Sequence, residues 1–343
     1  MKILICAVVL AVSFVSSAVL GKFLIPLLHK LKYGQTILDL GPNWHKNKEG
    51  TPTMGGLMFI AGTVIGVIFA IIFTAISDKT LVSFAGEAES VIAFKKLLAG
   101  LVMALGFGFV GFVDDYIKVV KKRNLGLSPM GKIIMQIVII AAYFSSLRLF
   151  GDASTDIVFP FIGTWNCPWF IYYPLMAVFI IYVVNAVNLT DGVDGLCASC
   201  SVVYCASFMV IATMLGFVWQ NYYAVALAGA LLGFLIWNIH PAKTFMGDTG
   251  SMFLGGSVVA LGFGVNLPIL IIIVGILYIL DALSVVIQVC YFKATKGKRL
   301  FKMSPIHHHF EMSGWSENKI VVVFSIITLI GGILGVLCLW GVK

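Results

Sequence analysis

Charge is what this 343-residue sequence has least of: 11% of its residues are Asp, Glu, Lys or Arg, against 60% that are hydrophobic. Soluble globular chains carry about 25% charged residues, so a chain with a mean hydropathy of +1.03 has too little polar side chain to face water all round. A soluble enzyme, a disordered protein and a fibrous repeat are excluded, which leaves an integral membrane protein. Cysteine is sparse too. The seven thiols, at 6, 167, 197, 200, 205, 290 and 338, lie almost all in apolar stretches. Cys197 and Cys200 form a CxxC without a βαβ context and read as small buried residues, not as a disulfide framework. The sequence has no Walker A loop, no nucleophile elbow, no internal repeat and no low-complexity run. Gly106-Phe-Gly108-Phe-Val-Gly111 spells a dinucleotide fingerprint. It lacks the preceding strand and lies in an apolar helix, where small residues allow close packing.

Long apolar runs are abundant instead. Crossing the hydrocarbon core takes about 20 apolar residues, and ten segments qualify or nearly so: 3–28, 55–76, 96–113, 131–150, 169–187, 196–218, 222–239, 251–265, 267–292 and 319–341. The first is too long for a signal-peptide core and reads as a retained span. The eighth is short, so it borrows residues from the Phe245–Gly250 loop or is re-entrant. With all ten spanning, the connections 29–54, 114–130, 188–195, 240–250 and 293–318 share one side and, with Lys132 and Lys319, hold 16 of the 23 Lys and Arg. Positive loops stay in the cytoplasm. The expectation is therefore an all-α integral membrane protein, one domain over 1–343, with ten transmembrane helices, cytoplasmic active-site loops and both termini outside. Residues 156–168 suggest an outer hairpin at the interface.

The six histidines fall on that same cytoplasmic face, as do five aspartates at loop–helix junctions, Asp114, Asp115, Asp191, Asp194 and Asp248. Asp114-Asp115, placed by the apolar pattern just after a helix and followed by Lys118, Lys121, Lys122 and Arg123, is an acidic pair suited to Mg²⁺ or a proton. Asn185-Ala-Val-Asn188-Leu-Thr-Asp191-Gly192-Val-Asp194-Gly195 has more carboxamides and carboxylates than a plain turn needs. Asn238-Ile-His240 through Phe245-Met-Gly247-Asp248-Thr-Gly250-Ser251 repeats the pattern; its glycines let backbone N–H groups approach anions, its Asp can hold a metal, and Phe245 can stack on a base or sugar. His45, Lys46, Lys48 and the Gly50-Thr-Pro-Thr53 turn open the second helix, where an anion can dock. Pro305-Ile-His307-His308-His309-Phe-Glu311 sits in the most basic loop, a setting for phosphate binding more than for zinc. Asp281 and Gln288 lie within the ninth segment, and an intramembrane acid is a functional candidate. Acids and cations on one membrane face suit a metal-bridged polyphosphate, and phosphoryl transfer asks mainly for positioning and charge neutralisation. So much membrane for one polar face implies a lipid substrate.

The motifs Gly50–Gly56, Gly111–Asp115, Asn185–Leu196, Phe245–Ser251 and Pro305–Glu311, in this order, make the whole chain resemble the phospho-N-acetylmuramoyl-pentapeptide transferases. The aspartate motifs are shared with the wider polyprenyl-phosphate hexose-1-phosphate transferases; the triple histidine selects the muramoyl-pentapeptide branch. The resemblance implies that UDP-MurNAc-pentapeptide and undecaprenyl phosphate react to lipid I and UMP with Mg²⁺ for peptidoglycan synthesis. It also implies the bacterial inner membrane, a homodimer among membrane lipids, and no nucleic-acid partner. By the same resemblance Asp114 and Asp115 lie near the lipid phosphate, Asp248 is the metal ligand, and Lys132 lies near the phosphates. Lys48, Asn188, Asp191, Asp194, Asn238, Phe245, Gln288, His307 and His308 match positions lining the nucleotide pocket. Asp114, Asp115, Asp248, His307 and Lys132 are the catalytic candidates, and Thr53 and Gly192 join the substrate-binding set. Asp281 stands where Glu is expected, and Glu49 interrupts a small-residue turn. The alternatives are a sister GlcNAc-1-phosphate transferase and, from another class, a lipid transporter.

Overall fold

The computed structural model describes residues 2–30, 48, 50–77, 88–120 and 126–342. His45, Lys46, Glu49, Lys121, Lys122 and Arg123, singled out above, lie outside the described residues. The helices run α1 (Lys2–Lys30), α2 (Gly56–Ser77), α3 (Ala88–Val120), α4 (Pro129–Leu149), α5 (Trp169–Leu189), α6 (Leu196–Met214), α7 (Val218–Asn238), α8 (Gly247–Gly264), α9 (Leu270–Val274), α10 (Ile276–Ala294), α11 (Ile306–Glu311) and α12 (Glu317–Cys338). Among the described residues, nine helices are long and apolar enough to cross a membrane. Large side chains such as Phe23, Val138, Val322 and Ile333 stand exposed on α1, α4 and α12. In water such faces would drive association; against lipid tails they match their solvent, and helices keep every backbone polar group satisfied within the span.

Of the helices of eighteen residues or more, α8 is the one outside those nine, and it occupies the core. Every residue from Thr249 to Gly264 is buried, against α3, α5 and α2. A helix wrapped in protein has no lipid to face, so it is built from small residues that let backbones approach. At Gly111 of α3 an added Cβ would fall 2.0 Å from the Asp248 carbonyl oxygen. At Gly56 it would fall 2.3 Å from the Gly250 Cα. The glycines of the fingerprint-like run thus serve packing. The short eighth segment does borrow from its loop, since α8 starts at Gly247.

Two boundaries differ from the sequence reading. Helix α3 continues to Val120, so Asp114 and Asp115 lie within it and not after it. The apolar run ends at Val113, but the Asp114–Lys118 ion pair at i,i+4 supports further helical turns beyond it. The ninth segment is broken at Gly275 into α9 and α10.

At the end of the bundle away from the polar motifs, β1 (Asp156–Phe159) and β2 (Gly163–Asn166) form the expected hairpin in antiparallel register, Asp156 facing Asn166. Buried Lys96 of α3 pairs with Asp152 at 2.5 Å and also bonds Asn266, tying the strand-side loop to the bundle. Eighteen residues of helix separate Lys96 from Asp114, about 27 Å at 1.5 Å per residue.

Candidate active site

The ends of α3, α5, α7 and α10 and the starts of α2, α4, α6, α8 and α12 meet at the other end of the bundle, and the polar motifs meet with them. Ser128 caps α4 by accepting the Gly131 N–H at 3.1 Å, with Pro129 next in the position where a missing N–H costs nothing; Lys132 follows within the first turn. Carboxylate oxygens of Asp114, Asp115 and Asp248 lie within 4.8 Å of one another. Asp114 and Asp115 are buried, and Asp248 is partly open. Two lysines hold the group together. Lys118 Nζ is 2.6 Å from Asp114 Oδ2 and 3.0 Å from Asp248 Oδ2, and Lys132 Nζ is 3.2 Å from Asp114 Oδ1 and 2.8 Å from Asp248 Oδ2. Asn188 donates to Asp248 Oδ1 at 3.0 Å. Asp115 instead receives the Thr249 N–H and hydroxyl at 2.9 and 2.7 Å, serving as a cap for α8. Thr53 adjoins this cap: a Cβ on Gly247 would fall 2.6 Å from both Thr53 Oγ1 and Asp115 Oδ2.

The loop between α5 and α6 carries Asp191 beside this cluster. Burial, and then repulsion from Asp248, Asp115 and Asp194, push the Asp191 carboxyl well above the usual carboxylate range. Gly195 ends the loop at φ 75°, a left-handed conformation that glycine adopts without strain. Its N–H donates to Asn238 Oδ1 at 3.2 Å, and Asn238 Nδ2 donates to the Thr244 carbonyl at 3.0 Å, so Asn238 joins two loops.

A second polar group lies beyond Asp191. Lys48 Nζ sits 2.8 Å from Asp194 Oδ1 and 2.7 Å from Glu317 Oε2, while His240 Nδ1 lies 3.0 Å from Asp194 Oδ2 and 3.3 Å from Glu317 Oε1. These four residues, with Thr51, Glu311 and Trp315, border a cavity of about 470 Å³. Glu317 is a residue the sequence reading missed. It appears there as the first acid of an amphipathic helix start, where an acid is ordinary. Only the fold brings it to Asp194.

The triple histidine turns to separate partners. His307 Nδ1 faces Asp281 at 2.8 Å, His308 Nδ1 faces Glu311 at 2.5 Å, and His309 Nδ1 accepts the Lys302 N–H at 3.1 Å. Gln288 is engaged with backbone: it accepts from Leu300 and Phe301 and donates to the Phe301 carbonyl, holding the basic loop in place. Phe245 pairs through its backbone with Pro52 and Gly55 and keeps its ring half-exposed. Asp114, Asp115, Asp248, Lys132 and Asn188 thus share one cluster, Lys48 and Asp194 a second, and His307 and His308 meet the Asp191–Gly192 loop. Gln288 and Asn238 have their amides committed to neighbouring loops.

Carboxylates bridged by lysines at the end of a bundle of apolar helices define a membrane-protein site suited to charged groups. Residues 97–266 match the model of Glycosyl transferase family 4, and residues 48–60 match Phospho-N-acetylmuramoyl-pentapeptide-transferase signature 1. A phospho-N-acetylmuramoyl-pentapeptide-transferase of Clostridium botulinum is 43% identical over 332 residues, covering 96% of this chain and 95% of the relative. Those of Clostridium perfringens and Halalkalibacterium halodurans are 44% and 42% identical, covering 94% and 95% of this chain and the same shares of the relatives. The chain belongs to the phospho-N-acetylmuramoyl-pentapeptide-transferase family.

Proposed function

We propose that this chain transfers phospho-MurNAc-pentapeptide from UDP-MurNAc-pentapeptide to undecaprenyl phosphate, giving lipid I and UMP for peptidoglycan synthesis. The observation that carries the reading is the cluster of Asp114, Asp115 and Asp248, in which Lys118 and Lys132 bridge Asp114 to Asp248. The donor set suits Mg²⁺, which takes one or two carboxylate oxygens and completes its shell with phosphates and water. Asp248 is the ligand, being the most open of the three acids and held at its other oxygen by Asn188. Bound there, Mg²⁺ supplies neutralisation of diphosphate charge. Lys118 and Lys132 flank the reacting phosphates, and Asp114 fixes both lysines. The lipid phosphate has a second pKa near about 6 and is already mostly dianionic at neutral pH, so Asp114 acts through charge and position more than as a base. Lys48, Thr53, Asp191, Gly192, Asp194, Phe245, His307 and His308 border the nucleotide-sugar site, with Asn238 and Gln288 supporting its loops.

In this reading α8 is a tenth crossing, which puts the basic loops in the cytoplasm and both termini outside; the family resemblance adds the bacterial inner membrane and a homodimer. The test is UMP release by detergent-purified protein given UDP-MurNAc-pentapeptide and undecaprenyl phosphate, with and without Mg²⁺. Mg²⁺-dependent release together with a labelled lipid product is expected. Release only from UDP-GlcNAc would mark the sister transferase, and no release from either would sink the reading.

A further inference from the structure

We infer that Asp281 is a positioning residue that sets the His307 ring for the nucleotide-sugar substrate, an inference that rests on the function just proposed. Both side chains are fully buried. They come from different elements, Asp281 from α10 and His307 from the start of the six-residue α11. His307 Nδ1 lies 2.8 and 3.1 Å from the two carboxylate oxygens, and the His307 backbone N–H reaches the same carboxylate at 3.4 Å. An ionised carboxylate only accepts, so Nδ1 carries the proton in this contact and the ring orientation is set. The other nitrogen, Nε2, is buried without a hydrogen-bond partner among the described residues.

Buried polar atoms in native proteins nearly always have a partner, and an orphan asks for an explanation. This one points at the Asp191–Gly192 loop: a Cβ on Gly192 would fall 2.3 Å from His307 Nε2 and 3.2 Å from His308 Nε2. The ring is therefore anchored to the bundle at one nitrogen and presented to the site at the other, over the one residue type that leaves room for it. A hydrogen-bonding group of the bound nucleotide sugar is the partner that completes Nε2. Without Asp281 the ring loses its anchor, and Nε2 loses its aim.

The experiment is a double-variant cycle on full-length protein in detergent, read as kcat and KM for UDP-MurNAc-pentapeptide. Asp281→Asn should lower kcat/KM on the order of 10- to 100-fold, the size of loss seen when a partner that orients a metal-bound histidine is removed, with KM raised because the contact is to bound substrate. Asp281→Glu, which keeps the carboxylate, should restore most of the loss. Because Asp281 acts through His307, the Asp281→Asn/His307→Gln double variant should be no slower than His307→Gln alone. Wild-type kcat/KM in Asp281→Asn, or losses that multiply in the double variant, would overturn the inference. If Asp281→Asn does not fold, Asp281→Glu carries the cycle: any change it causes must vanish in the His307→Gln background, and persistence of that change overturns the inference. Absence of UMP release by the wild type would sink the proposed function itself, whereas a failed cycle in an active enzyme sinks only the role of Asp281.

Discussion

Asp115 accepts the backbone N–H of Asp248 at 3.3 Å, so one acid of the cluster caps the helix that delivers another. With the Thr249 N–H and hydroxyl also on it, Asp115 is occupied by structure, while Asp248 faces lysines and open space. The adjacent acids Asp114 and Asp115 therefore have different work, and substitution should separate them.

Asp115→Ala should destabilise the protein. It removes the cap of α8, a change that costs about 0.5–2 kcal/mol, and strands buried donors at about 1–3 kcal/mol. The melting transition of detergent-purified protein should fall, with turnover lost as Asp248 shifts. An unchanged melting temperature would contradict the capping role.

Asp248→Asn should do the reverse. It keeps shape and its hydrogen bond from Asn188 but loses its pairing with Lys118 and Lys132 and the charge proposed to hold a divalent ion. Turnover should vanish and the stabilisation conferred by added Mg²⁺ should disappear, while the melting temperature without Mg²⁺ falls less than in Asp115→Ala, since what is lost is two partly exposed ion pairs. Retained turnover would remove Asp248 from the metal site.

Gly192→Ala tests the contact between the Asp191 loop and the histidines. The new Cβ would lie 2.3 Å from His307 Nε2, and the buried ring, held by Asp281, has little freedom to retreat. Turnover should fall sharply with the fold intact, since Gly192 lies on a half-exposed loop. Full activity would show that the ring moves freely and that its aim is unimportant.

Asp114→Asn distinguishes charge from base catalysis. Both Asp114 oxygens already face cations, Lys118 at 2.6 Å and Lys132 at 3.2 Å. The deficit relative to wild type should thus stay constant between about pH 6 and about pH 9. If Asp114 were the base for the lipid phosphate, the variant should recover as pH rises above the substrate's pKa of about 6. A pH-rescued variant with unchanged Mg²⁺ affinity would assign the proton to Asp114.

Orientation is tested by labelling in a Cys-less background. A cysteine at Ser313, after α11, should resist impermeant thiol reagents in intact cells, and one at Ser154, before β1, should react. The reverse pattern would move the site to the outer face.

Much of this was legible in the sequence, for reasons that can be named. Apolar runs set the helices because lipid imposes one rule along the whole span, and the β1–β2 hairpin was readable from its Pro, Gly and aromatic residues. The Asp, Asn and His motifs stood out because polar residues are so few in this chain. The extent of α3 past Val113 was not readable, since an ion pair and not hydropathy extends it. Glu317 was hidden because a cap-like acid at a helix start carries no sign of its partner on another element. The three histidines looked like one unit in sequence, yet side-chain direction on a short helix sends them to Asp281, Glu311 and Lys302.

The burial of α8 also bears on how the protein is made. Its glycines, serines and leading Asp248 give it little reason to leave an aqueous translocon for lipid on its own. In the proposed ten-crossing topology its entry into the bilayer is a templated event, in which flanking segments already in place, α3 foremost, provide the surface it joins. Because Asp248 rides on this helix and Asp115 on its template, biogenesis and assembly of the catalytic centre become a single step. A nascent chain halted before α8 docks would be an inserted but inert protein.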